Sequence, residues 1–456
     1  MLTRIEIDGF KTFSHFRIDL CPFLVILGQN GSGKSNLFDA IRFLSQLAGS
    51  DLRTAVRGLR GEPHELFRRG ADGRPGTRMS FAVEVLLDPE VRDPWGATVK
   101  ISHSRVRYEV EIELRRDDRG IERLVVAREQ AVPIVPKHET WRSQPRSASW
   151  AVPDTYFTYG RRSSWLDTLD EDGRRSFKIH QDGSAGRTRS AEAAEATVLS
   201  SITTAEFPHL YALREELRSW RFLHLDPGAL RRPSATTAPE GLEPDGSNLA
   251  TVLARIQSET RSESRPKGIL ADIAADLSSL IPGAMDLSVE EDPKAREYRL
   301  DISMRGEPPY SSRVVSDGNL RVLALLTLLH DPRHGGLVCF EEPENGIHPT
   351  RLKAMIRRLK ELVEDTFVES SPDPGRLTQM LMNSHSPVVL SCLDEGEIMF
   401  ADLISEVDPE RRTVSRKTRI RPVRPTLQGD LDPARNAEAV TPFEVQEYLS
   451  NVGQDL

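Results

Sequence analysis

The feature of this chain that most restricts its fold is a strand–turn–helix sequence near the N-terminus. The run FLVIL (residues 23–27) is entirely apolar, the stretch GQNGSGKS follows it, and SNLFDAIRFLSQLAG then has apolar residues at helical spacing. Further along, strand-like and helix-like stretches alternate in the same way. This alternation is typical of an α/β sheet interrupted by an insertion, and we predict that fold class.

The glycine-rich stretch, residues 28–35, matches G-x-x-x-x-G-K-[ST] in the context that this motif requires, after a strand and before a helix. Glycines let the backbone wrap closely around a phosphate, and a helix N-terminus offers free N–H groups. We expect Lys34 to reach the β- and γ-phosphates of a nucleotide and the Ser35 hydroxyl to bind Mg²⁺. The alternative is an ordinary glycine-rich turn, and the flanking strand and helix favour the phosphate site.

Two adjacent acids follow a second apolar run. GLVCF (residues 336–340) is typical of a buried strand and ends at Glu341 and Glu342, although glutamate is rarely buried without a partner. A nucleotide site needs a second strand that brings carboxylates to the metal and to water. We expect Glu341 to help hold Mg²⁺, often through a water, and Glu342 to act as general base or to polarise the attacking water. Without the phosphate loop, an exposed acidic loop would be the better interpretation.

The chain divides into three predicted parts. Residues 1–135 carry the phosphate loop and several β-rich stretches, which predict an N-terminal ATPase-like lobe with an antiparallel β subdomain. Residues 136–275 alternate loop-like segments with amphipathic stretches such as HLYALREELRSW, and we predict an inserted, mostly helical lobe there. Residues 276–456 return to strands and helices and end in a hairpin with a basic second arm.

Composition narrows the function classes. The net charge of −8 argues against a generally basic surface that coats nucleic acid, while leaving room for a local basic patch. Cys21, Cys339 and Cys392 lie far apart without a CxxC pair, which fits reduced thiols and not a disulfide frame or zinc site. The N-terminus lacks the apolar core of a signal peptide, and the longest apolar runs are too short to cross a bilayer. We predict a cytoplasmic protein with no membrane partner.

Four segments in a fixed order resemble the ATPase heads of the ABC type, specifically the SMC/RecF/OLD-like AAA ATPases. They are IEIDGFKTF…LVILGQNGSGKSNLFDAI, VSDGNLRVLALL, EEPENGIHP and NSHSP, and the resemblance covers about residues 1–47 and 275–400. The second segment is similar to the family's LSGGQ-like signature, the third to its Walker B motif and D-loop, and the fourth to its switch-histidine motif. The resemblance implies a P-loop fold, Mg²⁺-dependent hydrolysis of ATP, and ATP and Mg²⁺ as ligands.

The resemblance also implies site residues. It places His385 near the γ-phosphate, together with Lys34 and Glu342 as catalytic residues; without the motif, this histidine would be an ordinary polar residue at a strand end. The metal site would comprise Ser35 and Glu341. The implied nucleotide-binding residues are Gly28, Gln29, Asn30, Gly31, Ser32, Gly33, Lys34, Ser35, Asn36, Lys11 and Thr12. The signature residues Ser316, Asp317, Gly318 and Asn319 would cap the ATP held by an opposing head, so the resemblance implies a homodimer.

The partners are less determined by the residues. The wide separation of the motifs argues against a transporter ATPase, and no nuclease signature follows the histidine motif, so we expect no fused nuclease. The resemblance implies instead a separately encoded effector, such as a nuclease. The arm RRTVSRKTRIRPVR, from Arg411 to Arg424, is the best candidate for contact with DNA phosphates, with a charge-protected edge strand as the alternative. By family analogy we expect a head that acts on or senses DNA in repair or phage defence. The alternative is a slow ATP-dependent switch that assembles a protein complex.

Overall fold

The computed structural model describes residues 1–70, 73–116, 119–142, 152–171, 174–181, 184–367, 377–394, 396–408, 413–424 and 439–450. The strands are β1 (Leu2–Asp8), β2 (Phe16–Asp19), β3 (Phe23–Gly28), β4 (Arg78–Leu86), β5 (Glu90–Arg92), β6 (Thr98–Lys100), β7 (Arg105–Arg116), β8 (Glu122–Pro133), β9 (Leu166–Glu171), β10 (Arg174–Gln181), β11 (Ser184–Ser190), β12 (Arg221–Leu223), β13 (Ser234–Ala235), β14 (Ala284–Asp292), β15 (Glu297–Met304), β16 (Tyr310–Ser311), β17 (Gly336–Glu341), β18 (Thr378–Ser384), β19 (Ile398–Asp408) and β20 (Thr413–Pro422). The helices are α1 (Lys34–Leu47), α2 (Leu52–Arg57), α3 (Pro208–Ser219), α4 (Pro227–Leu230), α5 (Leu249–Thr260), α6 (Leu270–Leu280), α7 (Asp317–His330), α8 (Pro349–Asp365) and α9 (Pro442–Ser450).

A six-stranded sheet with the order β12-β17-β18-β3-β19-β20 forms the centre of the protein. Its neighbouring strands pair in parallel as far as β19, and β20 then pairs with β19 in the antiparallel direction. Every residue of β3 and of β18 is buried, as expected for a sheet covered on both faces. Because β3, β17 and β18 run in the same direction, their carboxyl ends meet at one edge of the sheet.

The pleat of the central strands sends alternate side chains into two separate cores. On β3, Leu24 and Ile26 pack into a core that includes α1, α3 and a second, antiparallel sheet. Phe23, Val25 and Leu27 pack on the other face, in a core that includes α5, α6, α7 and α8. The apolar run FLVIL is therefore continuous because both of its faces are covered.

The second sheet has eight antiparallel strands in the order β11-β10-β9-β8-β7-β4-β1-β2. It contains β1, β2, β4, β7 and β8, which account for the β-rich stretches that the sequence predicts within residues 1–135. A smaller sheet joins β13, β15 and β14, with β16 beside β15. The predicted α/β fold class, with an antiparallel β subdomain, is confirmed, and the central sheet is mixed because β20 is antiparallel to β19.

The inserted segment differs from the prediction of a mostly helical lobe. Strands β9, β10 and β11 extend the antiparallel sheet beyond β8, and β12 pairs with β17 in the central sheet. The sequence did not predict β9 and β10 because few of their side chains enter the core. Leu166, Phe177 and Ile179 are buried, while most of the neighbouring side chains are polar and partly exposed. The pairing of β8 with β9 crosses the predicted boundary at residue 135, and that of β12 with β17 crosses the one at residue 275. The division of the chain into three domains stays a prediction.

The C-terminal hairpin and the cysteines agree with the sequence analysis. Strands β19 and β20 form the expected hairpin, joined to the central sheet through β3. All three cysteines are free thiols, and burial raises the pKa of Cys339 well above its ordinary value. Among the residues that the structure describes, no helix is both long and apolar enough to span a membrane.

Candidate active site

The phosphate loop lies between the end of β3 and the start of α1. Gly31 and Gly33 have φ angles of 82° and 95°, in the left-handed region that strains residues with a Cβ. At Gly33 a Cβ would also overlap the hydroxyl of Thr418 on β20. Gly33 is the N-cap of α1 and supplies no side-chain cap, so the first amides of this helix can be bound by an anion.

Lys34 is held against its own loop. Its Nζ donates hydrogen bonds to two carbonyl oxygens of residues 28 and 29, at 2.6 and 2.8 Å. Burial lowers the pKa of this amine, and the charges of Glu344, Glu342 and Glu341 oppose the shift. The charges of three carboxylates thus act on one buried ammonium group, and this excess of negative charge favours a divalent cation.

The two residues predicted to hold the metal lie side by side. Ser35 Oγ donates to Oε2 of Glu341 at 3.0 Å, although 306 positions separate them in the sequence. Nδ2 of Asn383, on β18, approaches the same carboxylate oxygen at 3.4 Å. A hydroxyl and a carboxylate are hard oxygen donors, of the kind that Mg²⁺ uses together with waters and substrate phosphates. The residues present therefore fit a magnesium ion between this pair and a nucleotide.

Glu342 is held in a strained conformation directly after β17. Its φ angle is 52°, which is uncommon for a residue with a side chain. Its backbone N–H donates to both the carbonyl oxygen (3.0 Å) and Oδ1 (3.1 Å) of Asn383, and Asn345 Nδ2 donates to its Oε2 at 2.6 Å. Strain of this kind persists when the surroundings fix it, and it is concentrated at functional sites.

His385 contacts an acid that the sequence analysis did not single out. Its Nδ1 lies 3.0 Å from Oε1 of Glu344, and its backbone N–H donates to the same oxygen at 2.8 Å. The hydroxyl of Ser384 donates to the other oxygen of Glu344 at 2.9 Å. The signal was present in the sequence, because Glu344 is the third acid of EEPE.

The predicted N-terminal contributors lie beside the phosphate loop, but their side chains bond to protein groups. Lys11 Nζ donates to Asp39 (2.6 Å) and to the carbonyl of Arg60 (3.0 Å). The Thr12 hydroxyl lies 2.6 Å from that of Thr418 and accepts from the Asn36 side chain at 3.0 Å.

Two side chains that sequence reasoning missed also touch the phosphate loop. Arg60 pairs with Asp39 and donates to the carbonyl of Ser35 at 2.9 Å. Thr418 donates to the carbonyl of Ser32 at 3.1 Å. Both come from segments outside the recognisable motifs, which is why the sequence pattern gave no sign of them.

The remaining loop residues divide by exposure. Asn30 and Gly31 are exposed, whereas Gly28 and Ser32 are buried. The Ser32 hydroxyl has no hydrogen-bond partner among the residues that the structure describes. Gln29 donates from Nε2 to the carbonyl of Tyr448 on α9, at 2.8 Å.

The predicted signature residues stand at the start of α7. Ser316 is the N-cap, and its hydroxyl accepts from the Asn319 amide at 3.4 Å. Asp317 forms an ion pair with Arg231. A Cβ at Gly318 would overlap the carbonyl oxygen of Gly346, so this helix start packs closely on the D-loop, residues 344–348. Within the described part of the chain, no hydrogen bond or ion pair joins residues 316–319 to residues 28–36.

The basic arm carries compensating acids. Arg419 and Arg421 both pair with Asp402, and Lys417 pairs with Glu406. Arg411 lies outside the described residues. The described part of the arm is therefore less cationic than its sequence indicates.

Comparisons with known proteins agree with these motifs. The family model described as "AAA domain, putative AbiEii toxin, Type IV TA system" matches residues 156–391, and the RecF/RecN/SMC N terminal domain matches residues 1–58. Among curated proteins, DNA replication and repair protein RecF of Mesorhizobium japonicum is 34% identical over 19% of this chain and 20% of its own length. Structural maintenance of chromosomes protein 3 of Saccharomyces cerevisiae is 35% identical over 25% of this chain and 8% of its own length. The matched region thus spans a small part of these relatives.

A solved SmcHead bound to the C-winged helix domain of ScpA aligns with 92% of this chain and 98% of its own, at 14% identity and a TM-score of 0.48. A Smc head domain derived from Pyrococcus furiosus aligns at 15% identity and a TM-score of 0.44, over 92% of this chain and 96% of its own. The AAA-domain model alone matches more than half of the sequence. The chain belongs to this AAA-domain family of ATPases, and it is similar to SMC and RecF proteins.

Proposed function

We propose that two copies of this chain bind ATP between them, hydrolyse it with Mg²⁺, and couple this cycle to DNA through a separately encoded effector. The observation that carries the proposal is the approach of Glu341 to within 3.0 Å of the phosphate-loop hydroxyl of Ser35. It brings the acids of β17 to the loop that would hold the triphosphate.

The residues divide the work of hydrolysis. Lys34 and the first amides of α1 bind the β- and γ-phosphates, and Ser35 and Glu341 hold the metal. Bound Mg²⁺ would neutralise charge on the phosphate oxygens. The oxygen of the attacking water bonds to the γ-phosphorus while Glu342 accepts a proton from that water. The bond between the γ-phosphorus and the oxygen that bridges it to the β-phosphate breaks, and ADP and phosphate leave.

The geometry of the signature supports a dimer. The start of α7 packs on the D-loop of its own chain, and among the described residues no hydrogen bond or ion pair joins it to its own phosphate loop. Its first amides could instead cap the ATP of a second copy. Asp317 would bring unfavourable charge to a γ-phosphate, but its ion pair with Arg231 offsets that charge.

The DNA part of the proposal rests on family analogy. The relatives include a protein named for DNA replication and repair. The arm from Arg411 to Arg424 remains the candidate contact, and a nuclease remains the candidate effector in repair or phage defence. We propose a cytoplasmic location for this assembly.

Nucleotide titration and size measurement test the core of the proposal. Lys34→Ala should abolish ATP binding in isothermal titration calorimetry while the unfolding temperature stays close to the wild-type value. Glu342→Gln should bind Mg²⁺-ATP, lose hydrolysis and accumulate as a dimer in light scattering. Glu361→Gln is the matched control, because Glu361 pairs with Arg358 on the exposed side of α8. Unchanged ATP affinity in the lysine variant would contradict the assigned site.

A second candidate function is an ATP-dependent assembly switch without direct DNA contact. The acids that pair with the basic arm favour it. Steady-state hydrolysis with and without duplex DNA separates the two functions. Stimulation that disappears in Lys417→Ala would support DNA contact by the arm, whereas ATP-dependent dimerisation and turnover that ignore DNA would support the switch.

A further inference from the structure

We propose that Glu344 is a positioning residue that fixes the proton of His385 on Nδ1, so that Nε2 accepts a hydrogen bond from the attacking water. The inference rests on the proposed hydrolysis of ATP and adds a residue to it. No motif considered in the sequence analysis assigns a role to this third acid.

The main-chain N–H of His385 shows that the Glu344 oxygen beside the imidazole is a hydrogen-bond acceptor. Oε1 of Glu344 accepts from the His385 main-chain N–H at 2.8 Å, and an N–H can only donate. The same oxygen lies 3.0 Å from Nδ1 of the imidazole. Because a carboxylate oxygen presents only lone pairs to the ring nitrogen at this distance, the proton of the neutral imidazole belongs on Nδ1.

The other half of the carboxylate is fixed as well. Oε2 of Glu344 accepts from the Ser384 hydroxyl at 2.9 Å, and the side chain is 11% exposed. Two hydrogen bonds, from the Ser384 hydroxyl and the His385 amide, therefore hold this carboxylate in one orientation, with Nδ1 of the imidazole 3.0 Å away. The imidazole is 45% exposed, so its remaining nitrogen can be reached by water.

The consequence is chemical. With Nδ1 protonated, Nε2 of the neutral ring has a lone pair and no hydrogen. It cannot donate to a phosphate oxygen, but it can accept an O–H of the attacking water and orient it, while Glu342 takes the proton that the water loses. The charge of Glu344 also acts on the phosphate-loop lysine, where it opposes the lowering of the Lys34 pKa by burial.

The kinetic test is a double-mutant cycle with Glu344→Ala, His385→Ala and the double variant. Each single change should lower kcat by about 10- to 100-fold with little change in KM, since the effect falls on the orientation of water. If Glu344 acts through His385, the double variant should be no slower than His385→Ala. Losses that multiply, or a Glu344→Ala variant with full activity, would overturn the proposal.

Two variants separate positioning from stability. Glu344→Gln should retain more activity than Glu344→Ala, because its amide oxygen can still accept from both nitrogens of His385 while its NH₂ faces the Ser384 hydroxyl. Glu361→Ala removes an exposed carboxylate on α8 and should leave kcat unchanged. Activities of Gln and Ala variants that are equally low at equal unfolding temperatures would contradict the tautomer argument.

A spectroscopic readout does not depend on hydrolysis. In protein labelled with ¹⁵N-histidine, the His385 resonances are identified by their loss in His385→Ala. The wild-type ring should show a protonated Nδ1 and an unprotonated Nε2, and Glu344→Ala should shift the ring toward the Nε2–H tautomer. A wild-type ring protonated on Nε2 would overturn the inference even if the protein hydrolyses ATP. If the protein shows the expected spectrum but does not hydrolyse ATP, the protonation of Nδ1 beside Glu344 is supported and only the proposed function is contradicted.

Discussion

In the six-stranded sheet, strands β3 and β17 are apolar along their length and place charged groups only at or just beyond their ends, whereas the eight-stranded sheet buries charges within its strands. Both sheets thus contain carboxylates that are at least partly buried. The difference lies in how many protein partners each carboxylate has. Glu139, beside the second sheet, accepts from Arg105 at 2.6 and 3.3 Å and from the amides of Trp141 and Arg142.

The acids at the end of β17 have fewer partners. Among the described residues, the side chain of Glu341 accepts hydrogen bonds from Ser35 and Asn383, and that of Glu342 accepts one from Asn345. A carboxylate saturated by protein donors stabilises the fold, while one with spare acceptor capacity beside a phosphate loop can serve a metal or water. Partial burial of an acid is therefore a weak sign of function until its partners are counted.

The largest expected effect is on stability, from Arg105→Ala at the start of β7. Arg105 is fully buried, pairs with Glu139, donates to the Thr3 hydroxyl and lies 3.7 Å from Glu84. Its removal leaves buried carboxylates without their cation and should lower the free energy of unfolding by about 3–5 kcal/mol. Chemical denaturation measures this, and ATP affinity of the folded variant should stay unchanged.

A matched control lies on the same strand. Arg116, at the other end of β7, pairs with Glu122 at 3.4 Å, and both side chains are well exposed. Arg116→Ala should cost less than about 1 kcal/mol, as exposed pairs usually do. If Arg105→Ala and Arg116→Ala lowered the free energy of unfolding equally, burial would not explain the contribution of Arg105 to stability.

The second largest expected effect is on the rate of ATP hydrolysis, and it is produced by Ser35→Ala. The hydroxyl that bonds to Glu341 is lost, so the variant should hydrolyse Mg²⁺-ATP about a hundredfold more slowly, within the range of several kcal/mol that metal coordination contributes. The unfolding temperature should change little. Ser50→Ala, which removes a hydroxyl bonded to the carbonyl of Gln46 near the far end of α1, should keep full activity. A stability loss without a rate loss in Ser35→Ala would assign this serine to the fold instead of the site.

The sequence was informative in the central sheet because its chemistry depends on short motifs. The loop around Lys34 and the pair Glu341 and Glu342 are each recognisable within a few positions, since phosphate and metal ligands require particular residue types at fixed spacing. Thr418 could not be found in this way, because it reaches the carbonyl of Ser32 across 386 positions. In the second sheet, β9 and β10 bury too few residues to give a clear alternating pattern.

The smallest expected effect is the pH dependence of stability that Glu129 gives to the second sheet. Glu129, on β8, is fully buried and accepts from the amides of Val198 (2.5 Å) and Leu199 (2.9 Å) and from the Tyr108 hydroxyl (3.0 Å). Burial raises its pKa to about 7, although these hydrogen bonds favour the ionised form. The folded protein therefore binds a proton that the unfolded chain has lost, between the ordinary pKa of a glutamate and about 7.

It follows that stability falls as pH rises through this window, because ionisation of the folded state is unfavourable there. Between pH 5 and pH 7 the contribution of Glu129 should decrease by about 2 kcal/mol, at roughly 1.4 kcal/mol per pH unit over most of that range. Glu129→Gln cannot ionise, so the difference in unfolding free energy between the wild type and this variant should change by that amount across the window and become nearly constant above about pH 8. ATP hydrolysis of the two proteins should follow the same pH profile, because Glu129 contacts residues of the antiparallel sheet and of the segment before α3, and none of those that surround Lys34. A difference that does not vary with pH would mean that Glu129 is already ionised in the folded protein, and that its three donors outweigh its burial.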